Sequence, residues 1–216
     1  MAAAPTNELL THLRSLYPYP NDTIWACIAA IAYSGCNIPS GVPAIFNFVA
    51  TPPTERLVLV RKMKDAIFKA GMLFGYPKAI NGLLELHNIL PPELRDTEPF
   101  RNQTTSLPSL TQSGYEYFTT VYGDTAKSVD TLLRDIYPDM GFFSTTLAYG
   151  FVYSYTSILS PTETALCIIA GLVIADTQRQ LEWHLAGAKR LGVPDGEVEA
   201  VRKIVGEVIH RAGCSV

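Results

Sequence analysis

Apolar residues recur at helical spacing along most of the chain, and the clearest run lies near the end of the sequence. Val198, Val201, Val205 and Val208 follow one another at intervals of three and four residues, which places them on one face of a helix. The run is bounded by Asp195 and the helix-ending glycine of "HRAG", as helices commonly are. A sustained alternation of apolar and polar residues, typical of strands, occurs nowhere. The pattern therefore predicts an all-α fold with eight to ten helices.

Two further helices are predicted just before this run. Ser160, Pro161 and Glu163 have the spacing of a capping box, so we expect a helix from about Pro161 to Ala175. The next helix ends at Gly192. Its buried stripe consists of Leu181, Leu185, Ala188 and Leu191.

The first half of the chain repeats this plan loosely. Without gaps, "TIWACIAAIAYSGC" aligns with "ETALCIIAGLVIAD", and "MKDAIFKAGMLFG" aligns with "VRKIVGEVIHRAG"; Asn21 or Asp22 can cap the first of these helices. The alignment indicates an internal duplication. We expect a degenerate helical unit at residues 1–90, a linker or surface excursion rich in Pro, Ser, Thr and Asn at 91–114, and a second unit at 115–216.

Charge and apolar run length exclude some partners. The chain has 17 basic and 20 acidic residues and a net charge of −3, which gives no extended basic surface for nucleic acid. The longest apolar runs, "IWACIAAIAY" and "ALCIIAGLVIA", are shorter than the roughly 20 residues of a membrane span. The first residues lack the apolar segment of a signal peptide. We therefore expect no nucleic-acid or membrane partner and a cytoplasmic location, with organellar targeting left open.

The four cysteines give no disulfide scaffold and no metal site. Cys27, Cys36, Cys167 and Cys214 are scattered, and no C-x-x-C pair or Cys/His ligand set occurs. Cys27 and Cys167 lie inside apolar runs and are expected to be small core residues. No metal is predicted.

His184 is the residue that raises a chemical question. It lies on the apolar stripe of its helix, three residues after Leu181 and four before Ala188. Such a histidine either satisfies a backbone carbonyl in the core or acts as a proton donor or acceptor. Gly187, one turn later, costs about 1 kcal/mol relative to Ala in a helix, which indicates that something packs closely against it. Periodicity alone does not choose between these roles.

The run "YGFVYSYTSILSPTETALCIIAGLVIADTQRQLEWHLAGAKRLGVPDGEVEAV" resembles the carboxymuconolactone decarboxylase-like branch of the alkylhydroperoxidase-D-like family. The order of a "YG" helix, a capped "L-S-P" helix, a helix with "W-H" and then "A…G-V…E" carries the resemblance. The stretch "IFKAGMLFGYPKAINGLLELH" resembles the final helix and extension of the same domain. The resemblance implies a tandem pair of such helical units.

The match departs from the peroxidase members of that family. Where they carry two cysteines and a glutamate, this chain has Thr177, Gln180 and Ala165. The first unit has Ala44 at the position of the histidine and Trp25 at that of the glutamate. A thiol relay needs a nucleophilic and a resolving thiol, so disulfide-type peroxidase activity, through a displaced Cys36 or Cys167, is only a third hypothesis.

The resemblance implies proton transfer without a metal or organic cofactor. His184 would act as general acid or base next to a carbonyl. The neighbours that could bind the substrate are Gln180, Trp183, Tyr149, Tyr153, Thr146 and Trp25. The alternative for the hydroxyl side chains is simple helix packing. No arginine falls on the predicted site face, so a neutral, apolar lactone, quinone or polyketide-like ring fits better than an acidic substrate.

Two hypotheses follow, and they differ in class. The first is a cofactor-independent lyase or isomerase acting on a small carbonyl-containing metabolite, with His184 as its catalytic residue. The second is a non-catalytic helical module for oligomerisation or ligand sensing. The family implies a homo-oligomer, here a dimer or trimer. His87, on the apolar face with Leu83 and Leu84, is a secondary candidate, or else a satisfied, half-buried histidine.

Overall fold

The computed structural model describes residues 4–19, 23–49 and 52–214. In this part of the chain all regular structure is helical, and the all-α prediction is confirmed. The predicted caps Asn21 and Asp22 lie outside the described residues. The helices are α1 (Asn7–Ser15), α2 (Ile24–Gly35), α3 (Gly41–Phe48), α4 (Pro53–Phe74), α5 (Tyr76–Ile89), α6 (Leu107–Tyr122), α7 (Ala126–Ile136), α8 (Pro138–Phe142), a π-helix (Phe143–Tyr153), α9 (Pro161–Ile174), α10 (Gln178–Arg190) and α11 (Asp195–Ala212).

The capping box at the start of α9 forms as predicted. Ser160 Oγ accepts a hydrogen bond of 3.1 Å from the Glu163 backbone N–H, and the Glu163 carboxylate accepts one of 2.9 Å from the Ser160 N–H. The chain then breaks between α9 and α10 at Asp176, whose φ of 49° is left-handed. Such a residue cannot continue a right-handed helix, so α10 begins at Gln178.

Helices α2 and α9 form the centre of the molecule. Every residue of α2 is buried, and α9 is buried along almost its whole length. The two helices pack on each other, α4 and α11 each pack on both, α3 covers α2, and α10 covers α9. A Cβ on Gly35 of α2 would lie 2.6 Å from Ile174 Cγ1 of α9, so the two central helices approach closely there.

One hydrophobic core runs through both halves of the chain. Its members include Leu59 and Ile67 of α4 as well as Leu166 and Val205 of α9 and α11. The division at 1–90, 91–114 and 115–216 stays a prediction.

Candidate functional site

His184 lies in a buried cluster with two tyrosines. Its Nε2 is 3.3 Å from the Tyr149 hydroxyl and 3.5 Å from the Tyr122 hydroxyl, and Tyr149 also donates to Tyr122 at 3.2 Å. The three side chains come from α10, the π-helix and α6. His184 is 8% exposed, and burial lowers its pKa to about 4. The imidazole is therefore neutral at pH 7.

Aromatic rings enclose this cluster. Phe118 lies with its ring centroid 4.2 Å from that of Tyr122 and 4.8 Å from that of Tyr149, and Trp183 lies 6.1 Å from Tyr122. Burial raises the pKa of Tyr122 and of Tyr149. Imidazole and phenols are thus all uncharged, and the cluster is a neutral hydrogen-bonded group inside the core.

Gly187 is where α10 meets α6. A Cβ at this position would lie 2.8 Å from Val121 Cγ1 and 2.9 Å from the Val121 carbonyl oxygen, both closer than packed atoms tolerate. The close approach brings Tyr122, the next residue of α6, to His184. The close packing that the sequence indicated at Gly187 is present.

The structure brings together only part of the predicted site. Tyr153 packs edge-on against Tyr149 with ring centroids 5.2 Å apart, so Tyr149, Tyr153 and Trp183 belong to one aromatic group around His184. Sequence reasoning missed Tyr122 and Phe118, because α6 approaches α10 only in the fold. The sequence signal that could have pointed to Tyr122 is its position at the end of α6, directly before the helix-ending Gly123.

Three predicted site residues lie elsewhere. The Thr146 hydroxyl is 2.8 Å from the Thr111 hydroxyl, where it joins the π-helix to α6. Gln180 is exposed in the first turn of α10. Trp25 is buried in α2 with its ring edge-on to Phe48 at 6.0 Å. The helical wheel places residues on one face, but it cannot tell which neighbouring helix that face meets.

A pocket of about 540 Å³ opens between α4, α5 and the segment that follows α5. The secondary candidate His87 lies at this pocket. The apolar side chains that line it are Phe68, Ile80, Leu83, Leu84, Phe100 and Ile158. Ile80 and Leu84 are 45% and 52% exposed. With His87, which is also exposed, they form a stripe along α5. The sequence placed His87 on an apolar helix face with Leu83 and Leu84, but it could not show that this face lines a pocket.

Five of the six charged residues of the pocket are paired with one another. Arg61 donates to Asp96 at 2.8 Å, Lys64 lies 3.5 Å from the same carboxylate, and Arg101 lies 2.7 Å from Asp65. With Glu98, the lining contains three basic and three acidic residues. The pocket therefore has no excess charge to offer a ligand.

The guanidinium of Arg101 makes further contacts with the backbone and with an aromatic ring. Its guanidinium donates to the carbonyl oxygens of Phe151 and Val152 at 3.0 and 3.1 Å and stacks on Phe68. Asp65 in turn faces Lys69, whose side chain is fully buried. The Arg101 guanidinium is therefore occupied by contacts within the protein.

Lys69 ties α4 to the second half of the chain. Its Nζ donates to the Tyr155 carbonyl oxygen at 2.8 Å and to the Thr164 hydroxyl at 2.9 Å, and it lies 3.2 Å from Asp65 Oδ2. Burial lowers the pKa of Lys69, and the Asp65 carboxylate acts in the opposite direction. The buried ion pair fixes the wall of the pocket.

His87 has a setting different from that of the other polar residues of the pocket. Its side chain is exposed, and within the described residues its ring has no hydrogen-bond or ion-pair partner. The expectation of a satisfied, half-buried histidine is therefore wrong. Its donor and acceptor nitrogens are free to meet a bound molecule.

Two features that bear on partners are absent from the described part of the chain. Residues 4–19, 23–49 and 52–214 contain no group of three or more His, Cys, Asp or Glu arranged to hold a metal ion. In the same ranges, no helix has the length and apolar character needed to cross a membrane.

Comparison with known proteins gives two relatives. Peroxisomal protein 2 of Schizosaccharomyces pombe is 31% identical over 188 residues, which are 86% of this chain and 85% of the relative. Peroxisomal protein 2 of Saccharomyces cerevisiae is 27% identical over 240 residues, with 83% of this chain and 85% of the relative covered. No family model matches the chain. No solved structure matches it.

These findings overturn the resemblance drawn from the sequence. Both relatives are named for the peroxisome, and no family model supports a carboxymuconolactone decarboxylase-like or alkylhydroperoxidase-D-like unit. That assignment is wrong. Three hypotheses depended on this assignment and are withdrawn with it. They are the lyase or isomerase, the non-catalytic module of the same family and the thiol peroxidase.

Proposed function

The chain belongs to the peroxisomal protein 2 family, and we propose that this protein acts at the peroxisome and binds a small, mostly apolar molecule there. The pocket between α4 and α5 carries the second part of the proposal. A volume of about 540 Å³ falls within the range of about 300–1,000 Å³ that is usual for small-molecule sites. The peroxisome replaces the cytoplasm as the expected location, because both relatives are named for that organelle.

The lining defines the class of ligand. Six apolar side chains supply the contact area, and each charged group of Arg61, Asp65 and Arg101 already faces an opposite charge. A ligand carboxylate would have to break such a pair, which costs several kcal/mol per uncompensated ion. The ligand is therefore a neutral molecule with an apolar body and one polar group, which His87 can bind by a hydrogen bond.

A neutral fluorescent probe, N-phenylnaphthylamine, tests the pocket. Leu84→Asp places a charge on the apolar lining, and we expect it to weaken probe binding at least about tenfold, since burial against a leucine contributes about 1.5–3 kcal/mol. Ile89→Asp is the matched control, because Ile89 is 40% exposed on the same helix but does not line the pocket. Equal binding by both variants would rule out this pocket as the site.

Location is tested separately on the untagged full chain. Antibody staining of cells that express it should coincide with a peroxisomal marker. A diffuse signal that excludes the marker would contradict the peroxisomal part of the proposal and leave the pocket untouched.

Catalysis is a second proposal, and the cluster of Tyr122, Tyr149 and His184 favours it. A neutral imidazole within 3.5 Å of two phenol groups can take up or pass on a proton. Diethylpyrocarbonate tests whether small molecules reach it. A cluster that admits substrate lets the reagent acylate His184 in the native chain, whereas acylation confined to the exposed His12, His87 and His210 would end the catalytic proposal.

Self-association is the remaining proposal, and it keeps the expected dimer or trimer. The end of α7, α8 and the start of the π-helix expose five large apolar side chains. They are Ile136, Tyr137, Met140, Phe142 and Phe143. A group of this kind on a protein surface marks an interaction site, and a second copy of the chain offers the same surface.

A further inference from the structure

Two cysteines that are far apart in the sequence meet near the end of α2. Cys36 is the C-cap of α2, and Cys214 follows Gly213, whose left-handed φ of 62° turns the chain back after α11. The Cys214 thiol donates a hydrogen bond of 3.9 Å to the Cys36 carbonyl oxygen. The Cys214 side chain is also close enough to the Cys36 thiol to raise its pKa. The fold thus brings together two side chains separated by 178 positions.

The surroundings distinguish this pair from the other two cysteines. Cys27 and Cys167 are fully buried in the central helices, whereas Cys36 and Cys214 are only half-buried. A small oxidant can reach the half-buried thiols, while the core excludes it from the others.

We propose that Cys36 and Cys214 are a disulfide-forming pair that locks the end of α11 onto α2 when a hydroperoxide is present. One thiol, as its thiolate, attacks an oxygen of the peroxide bond and an S–O bond forms. The O–O bond breaks, so the cysteine becomes a sulfenic acid and one alcohol or water is released. The second thiol then attacks the sulfenic sulfur, the S–S bond forms, and water leaves. In sum, two thiols are oxidised, one hydroperoxide is reduced, and both thiol protons end in the released molecules.

The disulfide between Cys36 and Cys214 should form slowly and persist, so the pair is not expected to catalyse repeated reduction of hydroperoxide. Burial, together with the neighbouring Cys214 thiol, raises the pKa of Cys36, so little thiolate is present at pH 7. The same property makes the thiolate a poor leaving group, so the disulfide is reduced slowly once it has formed. The proposal is independent of the pocket.

The test uses the reduced full chain and hydrogen peroxide at a stoichiometric ratio. We expect a monomer whose mass falls by about 2 Da through loss of two hydrogen atoms. Cleavage after Tyr33 separates Cys27 from Cys36, so digestion with chymotrypsin and trypsin without reductant should give a linked peptide that contains only Cys36 and Cys214. We also expect the midpoint of thermal unfolding to rise by about 5–15 °C, because the bond closes a long loop.

Two variants complete the experiment. Cys214→Ser should show neither the mass loss nor the rise in midpoint, and Cys167→Ala, the matched control in the core, should show both. The peptide map of the unaltered chain decides the result even if a variant fails to fold. A linkage through Cys27 or Cys167, dimers linked between chains, or oxygen addition without a Cys36–Cys214 bond would each overturn the proposal.

Discussion

At the scale of single residues, the burial of His184 sets how stability depends on pH. Its folded-state pKa of about 4 lies below the ordinary value of 6.5. Between these values the unfolded chain binds a proton that the folded chain does not, so protonation favours unfolding. The neutral imidazole therefore contributes its full stabilisation above pH 6.5, and this is lost as the pH falls through about 4.

We expect this histidine to account for about 3 kcal/mol of unfolding free energy lost between pH 6.5 and pH 4. His184→Gln keeps a side chain that can hydrogen-bond to Tyr149 or Tyr122 but does not titrate, so its stability should fall less over the same interval. Urea unfolding of both chains at several pH values measures the difference. Parallel pH curves for the two chains would show that His184 is not buried as described.

The lone imidazole of His87 gives a second prediction at this scale. If it binds the polar group of a neutral ligand, His87→Phe should weaken binding of a ligand with a hydrogen-bonding group about five- to tenfold, the effect of one neutral hydrogen bond. N-phenylnaphthylamine and its hydroxylated analogue, compared in a fluorescence titration, provide the measurement. The substitution should remove the preference for the hydroxylated probe. An unchanged preference would place the polar group away from His87.

At the scale of helices, close approach decides where side chains meet. The π-helix packs on α6 through Gly114 and Gly150: a Cβ on Gly114 would collide with the Thr145 carbonyl oxygen, and one on Gly150 with the Leu110 carbonyl oxygen. This contact carries Tyr149 to Tyr122, as Gly187 brings α10 to α6. Glycines at these helix contacts thus allow the close approach that brings Tyr122, Tyr149 and His184 together.

Gly187→Ala tests the crossing of α10 and α6. The added methyl group meets the Val121 backbone, so we expect a loss of about 1–3 kcal/mol in unfolding free energy. Gly206→Ala in α11 is the matched control: nothing lies within 4 Å of its Cβ position, and the better helix propensity of Ala should stabilise the chain by about 0.5–1 kcal/mol. Thermal or urea unfolding measures both changes, which we expect to have opposite signs. An unchanged unfolding free energy for Gly187→Ala would contradict the close approach of α10 and α6 at this residue.

Local sequence signals predicted the elements better than they predicted the site. The capping box at Ser160 and the apolar period of α11 are set by neighbours three or four residues away, and both were confirmed. Tyr122 and the pocket around His87 depend on which helix faces which, and this is set by contacts between distant segments. The family resemblance failed for a related reason, since short motifs around His184 describe one helix and its caps, not the identity of the whole chain.

At the scale of the whole molecule, the central pair of helices has a near-repeated form. Asn37 follows α2 with a φ of 56°, and Asp176 follows α9 with a φ of 49°, so both helices end in a left-handed residue. Each is then covered by one following helix, α3 or α10, and shares α4 and α11 with the other. Because α4 packs on α9 through Lys69, neither half holds a complete core of its own.

The exposed apolar residues at the end of α7 lie outside this shared core, and they give the prediction for assembly. We expect the full chain to be a dimer or trimer at micromolar concentration, because joining these surfaces removes large apolar side chains from water. Ile136→Asp with Met140→Asp places two charges in the contact and should give a monomer. Val58→Asp, at a 52% exposed position on α4, is the matched control and should leave the assembly unchanged. Light scattering coupled to size exclusion measures the mass of each, and a monomeric unaltered chain, or a double variant that stays assembled, would exclude this surface as the interface.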